Sequence, residues 1–171
     1  MNEVKNLRAM EALGLAGCVG FVASMFTIGM GLGRSWTQLE PQVFAETFPG
    51  TFLFLLPTVG LTLTPGVYGV WQAYRAAAPG SAAFRRWRLA LAGLLASTTV
   101  TLIYHVPANY RIWQHDLTDA QISTELDRWL VFHAIRLVIA VAAMLAAFRA
   151  IASSTRISDS RPNETLSATR A

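Results

Sequence analysis

The sequence predicts an all-α integral membrane protein, an antiparallel four-helix bundle of up-down-up-down topology with both termini cytoplasmic. Three observations predict it. Of the 171 residues, 53% are apolar and only 14% charged, where a soluble domain carries roughly 25% charged residues. No charged residue falls between Glu11 and Arg34, between Glu46 and Arg75, or between Arg88 and Arg111, and Arg136 is the one charge from Trp129 to Phe148. Each stretch supplies the ~20 residues that cross ~30 Å of hydrocarbon. Finally, Lys and Arg gather before the first stretch, between the second and third, and after the fourth. The positive-inside rule holds those segments in the cytoplasm and turns Arg34–Phe48 and Arg111–Arg128 outward.

These limits give one transmembrane domain, residues 1–152, with spans at about 10–33, 48–74, 88–110 and 127–150. From Ser153 onward, Ser, Thr, Arg, Asn and Pro dominate, and 153–171 reads as a disordered cytoplasmic tail. The protein is expected in the cell membrane, with the lipid bilayer as its first partner. Its net charge is +4, yet the basic residues bracket the apolar stretches and form no groove, which excludes nucleic acid. Cys18 is the only cysteine, so no intrachain disulfide or CxxC pair exists. The apolar run from Ala12 to Leu32 exceeds the ~7–15 residues of a signal peptide and reads as a true span.

Span one carries small residues at four-residue spacing: Ala12, Ala16, Gly20 and Ser24, continued by Gly29 and Gly33. Such a face lets helices approach closely and offers a surface for a homo-oligomer or partner helix. Span two contains Pro57 and Pro65, each expected to kink it and free a carbonyl that Thr58, Thr62 or Thr64 could bond. Span three places Gly93, Ser97, Thr101, His105 and Asn109 on one slowly drifting face, with Pro107 near its end. Span four aligns Trp129, His133 and Arg136, and Ala140, Ala143 and Ala147 extend that side. Trp36, Trp113 and Trp129 mark one membrane interface, and Trp71 and Trp87 the other.

Arg136 carries the chemistry. A charge at such depth costs about 2.5–3.5 kcal/mol on insertion scales, so it faces the bundle interior and has a role there. At 1.5 Å per residue, Arg136 lies about 12 Å and His105 about 9 Å from the outer boundary. His133, Arg136, His105 and Asn109 are therefore the candidate catalytic residues. Trp129, Thr101, Trp36 and Arg34 are the candidates for binding a small hydrophobic or amphiphilic molecule. No Asp or Glu lies within a span, which leaves Arg136 to pair with a loop acid such as Glu46 or Asp116, backbone carbonyls, a lipid phosphate or an anionic ligand. Three histidines (His105, His133 and His115) without carboxylates or further cysteines are too few donors for a metal, and no cofactor is expected.

The run Asp116–Leu117–Thr118, then Glu125 to Trp129, then His133–Ala134–Ile135–Arg136 has the form LT…ELxRWxxxHxxR. With Asn109 closing span three and Trp36, Leu39 and Pro41 after a Gly-rich first helix, it resembles the anthrone oxygenase-like family of small four-helix membrane proteins. The resemblance covers about Gly14 to Phe148 and is concentrated between Asn109 and Arg136. It implies oxidation of an anthrone-like or other enolisable molecule without a conventional cofactor. Leu137 departs from the pattern, since many relatives carry a hydroxyl residue there. On this reading His105 or His133 is the general base, and Arg136 and Asn109 stabilise an oxyanion. The alternative is a non-catalytic protein that binds a lipid or amphiphile or serves as a partner subunit. A transporter fits less well, because the spans show no inverted repeat and no acidic relay.

Overall fold

A computed structural model describes residues Asn2 to Asp159. Helix α1 (Asn2–Phe26) runs through a π-helical segment (Thr27–Gly33) into the single turn α2 (Arg34–Trp36). Helix α3 (Pro41–Ala76) follows, and α4 (Ala82–Val100) passes through a second π segment (Thr101–His105) into α5 (Val106–Trp113). Helix α6 (Asp119–Asp159) completes the chain. It continues past Ser153, where the tail was expected to begin, and 160–171 lie outside the described residues.

Four helical stretches are long and apolar enough to cross a membrane: Val4–Trp36, Pro41–Ala76, Ala82–Trp113 and Asp119–Ser153. Each outruns the charge-free stretch that revealed it, because polar caps start the helices earlier. Pro41 opens α3 at a position where its missing N–H costs nothing. Ser81 accepts a hydrogen bond from the Phe84 backbone N–H at 3.0 Å and caps α4. Before α6, the Thr118 backbone N–H donates to Gln121 Oε1 at 2.9 Å, half of a capping box. Outside the core, large apolar side chains such as Phe54, Leu61, Ile103 and Val138 stand exposed, the surface that a bilayer solvates and water does not. The chain is a multi-pass membrane protein.

Spans one and two meet through glycine. A Cβ on Gly17 would lie 2.2 Å from the Gly66 Cα, and one on Gly14 would lie 2.8 Å from the Val70 nitrogen. The close approach is thus within the chain and uses Gly14, Gly17 and, from the expected face, Gly20. Ala12 and Ala16, expected to form the contact face, are exposed instead. Span three meets span four where Gly93 faces Ala143, and the Ser97 hydroxyl donates to the Arg136 carbonyl at 3.3 Å. Ala140, Ala143 and Ala147 are all buried there, as their spacing predicts.

Span two stays one continuous α-helix across Pro49, Pro57 and Pro65. The carbonyls freed by Pro57 and Pro65 belong to Leu53 and Leu61, four residues earlier. The Thr62 hydroxyl bonds the Thr58 and Val59 carbonyls instead, so the expected threonine repair does not occur. Trp71 and Trp113 are exposed as interface residues should be, but Trp36, Trp87 and Trp129 are buried in the core.

Candidate functional site

Both π segments border one cluster of polar side chains, at the end of the bundle where spans one and two and spans three and four are joined. The wider turn of a π segment shifts the side chains that follow and is a common companion of functional sites. The second segment has a local cause, since Pro107 supplies no N–H to the Ile103 carbonyl. Its first and last residues are Thr101 and His105.

The Arg136 guanidinium sits at the centre. Its Nη1 donates to Thr101 Oγ1 at 2.9 Å, and its Nη2 and Nε reach His133 Nδ1 at 2.7 and 3.3 Å. The Trp129 ring lies 5.6 Å from Arg136 Cζ, close enough for a cation–π contact. A guanidinium only donates, so His133 Nδ1 accepts and its proton rests on Nε2. That Nε2–H donates to the Met25 carbonyl at 2.8 Å, at the junction of α1 with the first π segment. Both nitrogens of His133 are therefore engaged. His133 orients Arg136 and leaves no lone pair for a substrate.

His105 is the opposite case. It is 1% exposed, and neither ring nitrogen has a hydrogen-bond partner. The carbonyls of Val100 and Trp129 lie near the ring but make no bond of ordinary geometry with it. A buried polar group without a partner costs about 1–3 kcal/mol, which the fold retains here. The ring stands 4.9 Å from Trp129, edge to face. Asn109 completes the group: its Oδ1 accepts from Trp129 Nε1 at 2.8 Å.

All of these side chains but His133 line a cavity of about 90 Å³. His105, Asn109, Arg136 and Thr101 form its polar part, and Ile28, Phe52, Leu55 and Val59 its apolar part. Trp36, Phe48 and Trp129 close it toward the connecting loops, with ring centroids 5.3–6.3 Å apart. Of the eight residues chosen from sequence, six line the cavity (Trp36, Thr101, His105, Asn109, Trp129 and Arg136), and His133 stands outside its wall, bonded to Arg136. Arg34 does neither: it is exposed and stands outside the cavity wall. Nor does a loop acid meet Arg136, since Glu46 and Asp116 are exposed and its hydrogen bonds go to Thr101 and His133. His115 is exposed in the turn after Trp113.

Sequence reasoning missed three contributors. Glu125 is 8% exposed and accepts from Arg111 at 2.7 Å and from the Tyr104 hydroxyl at 3.0 Å; the motif from Glu125 to Trp129 contains it, but its spacing alone gives it no partner. Phe44, Phe48 and Phe52 recur every fourth residue, a stripe whose helical spacing is legible in the sequence. Gly29 was assigned to helix packing, yet a Cβ there would lie 2.9 Å from His133 Cδ2. Gly29→Ala is expected to displace the imidazole and break its bond to Met25, at a cost of about 1–3 kcal/mol. Nitrogen NMR of His133 checks this: an unchanged Nε2–H signal removes the positioning role of Gly29.

No family model, curated protein or solved structure matches the chain.

Proposed function

We propose that this protein is a cofactor-independent, oxygenase-like enzyme of the cell membrane that acts on an enolisable, lipid-soluble molecule of the anthrone type. The observation that carries the reading is His105, buried with both ring nitrogens free, beside Arg136 and Asn109. A lone pair of His105 takes the proton from an acidic C–H. The resulting enolate oxygen receives hydrogen bonds from Arg136 and the Asn109 amide, donors already in place and shielded from water. The electron-rich carbon then reacts with dioxygen. One methylene and one dioxygen give one carbonyl and one water, so carbon loses four electrons and oxygen gains them. The resemblance to the anthrone oxygenase-like family supports this chemistry, and Leu137 marks where the chain departs from that pattern.

The bundle is read as up-down-up-down with both termini cytoplasmic. Support comes from the positive-inside pattern and from helix pairings in which numbering rises on one side and falls on the other, as Gly14, Gly17 and Gly20 face Val70, Gly66 and Thr62. The cavity of about 90 Å³ is smaller than the roughly 300–1,000 Å³ that encloses a drug-sized ligand. It accommodates the reacting edge of a ring system and leaves the remainder against the apolar rim. That feature also favours a second reading, a binding protein that holds the polar head of an amphiphile without transforming it.

Purified protein in lipid nanodiscs, given anthrone and oxygen, decides between them. The enzyme should form quinone well above the rate in empty nanodiscs, with one dioxygen consumed per quinone. Equal rates with and without protein remove the catalytic reading and leave binding alone.

A further inference from the structure

We infer that the ligand reaches this cavity sideways from the hydrocarbon, passing between spans two and three at Leu56 and Val106, and is a neutral amphiphile that enters polar edge first. The inference rests on the cavity being a ligand site, as proposed above, but not on any oxidation occurring there.

Exposure around the cavity is uneven. Toward the loops, Trp36, Phe48 and Trp129 are each 4% exposed or less. The polar residues His105, Asn109 and Arg136 are also buried. The exposed lining residues are Leu56 at 46% and Val106 at 48%, both apolar and on different spans. The opening therefore faces the surface that lipid covers, and its rim offers water no hydrogen bond. Around it stand Leu53, Phe54 and Ile103, exposed and apolar.

The backbone at the opening also lacks a hydrogen bond on each side. Leu56 and Val106 each immediately precede a proline, Pro57 and Pro107. Each proline withholds one hydrogen bond from the turn before it, so both helices lack a rung at the level of the rim. Pro107 lies just beyond the π segment that ends at His105, which ties the seam to the residue with free nitrogens. An outward bend of either helix there meets one backbone bond fewer than elsewhere in the same helix.

The route selects by chemistry. A permanently charged molecule does not cross lipid to the rim, whereas a neutral one concentrates there. Once inside, its oxygen meets Arg136, Asn109 and His105, and its apolar body remains at Leu56 and Val106. One oxygen-bearing edge on an otherwise hydrocarbon molecule is the shape that satisfies both ends.

Binding without turnover tests this. In nanodiscs under argon, naphthol should bind the wild-type chain, and naphthol sulfonate, the same ring with a fixed charge, should associate about tenfold more slowly or worse. Leu56→Trp and Val106→Trp should slow naphthol association and dissociation about tenfold. Leu61→Trp, at an exposed position of span two outside the cavity wall, should change neither rate. Should a tryptophan variant not fold, Leu56→Ala and Val106→Ala serve instead and should speed both rates. Equally fast association of the sulfonate, rates indifferent to the rim, or no naphthol binding would each overturn the inference. Failure of anthrone oxidation with naphthol still bound by this route would remove only the catalytic reading. Quinone formed as fast by both tryptophan variants would remove only the lateral route.

Discussion

His105→Phe is expected to reduce quinone formation by about 100-fold or more, the usual worth of a general base, while leaving the protein as stable or more so. The two expectations have one cause. Both ring nitrogens of His105 are buried without partners, so the fold bears their desolvation and gains no hydrogen bond in return. Phenylalanine keeps an aromatic ring against Trp129, where the imidazole packs edge to face at 4.9 Å, and removes the unsatisfied atoms. A site that gains stability when its chemistry is deleted is one held for function. Quinone formation and the thermal midpoint in the same nanodisc preparation check the pair. Retained turnover would exclude His105 as the base, and a sharp fall in stability would mean that its nitrogens bond the protein after all.

Gly17→Ala is expected to destabilise the bundle by about 3 kcal/mol or more. The added Cβ would lie 2.2 Å from the Gly66 Cα, 2.3 Å from the Gly66 nitrogen and 3.0 Å from the Thr62 carbonyl oxygen. All three are backbone atoms, so no rotamer change relieves the clash, and spans one and two must separate along the seam. In lipid this seam has little hydrophobic drive to restore it, because association there depends on close backbone contact. Gly50→Ala, in span two with nothing within 4 Å of its Cβ position, supplies the contrast. It should be neutral or stabilising by up to about 1 kcal/mol. Equilibrium unfolding in mixed micelles measures both, and equal effects would show that the seam is not closely packed.

His133 and His105 illustrate what sequence leaves open. Both are uncharged polar residues inside apolar helices, and their spacing gives them the same depth as Arg136. Nothing in that spacing separates a histidine whose two nitrogens are engaged from one whose nitrogens are free. The difference lies in Met25 and Gly29, which come from span one, about a hundred residues away in sequence. Likewise, Arg136 was expected to meet a loop acid, backbone carbonyls, a lipid phosphate or an anionic ligand. Neutral acceptors, Thr101 and His133, proved to be its partners, and they leave its positive charge uncompensated toward the cavity.

The sequence alone determined the helical class, the four apolar spans, and the gathering of Arg136, His105, His133 and Asn109. Each follows from one-dimensional quantities, namely the length of charge-free stretches and the helical period of polar residues. Tertiary structure decided which small residues form the seam, which tryptophans are buried, where Glu125 lies, and on which side the cavity opens. Those features depend on how each helix is rotated and where its turns widen, and the two π segments reset that rotation within the spans. An even 3.6-residue period cannot anticipate such a reset, because it arises from contacts between helices rather than from the order of residues within one.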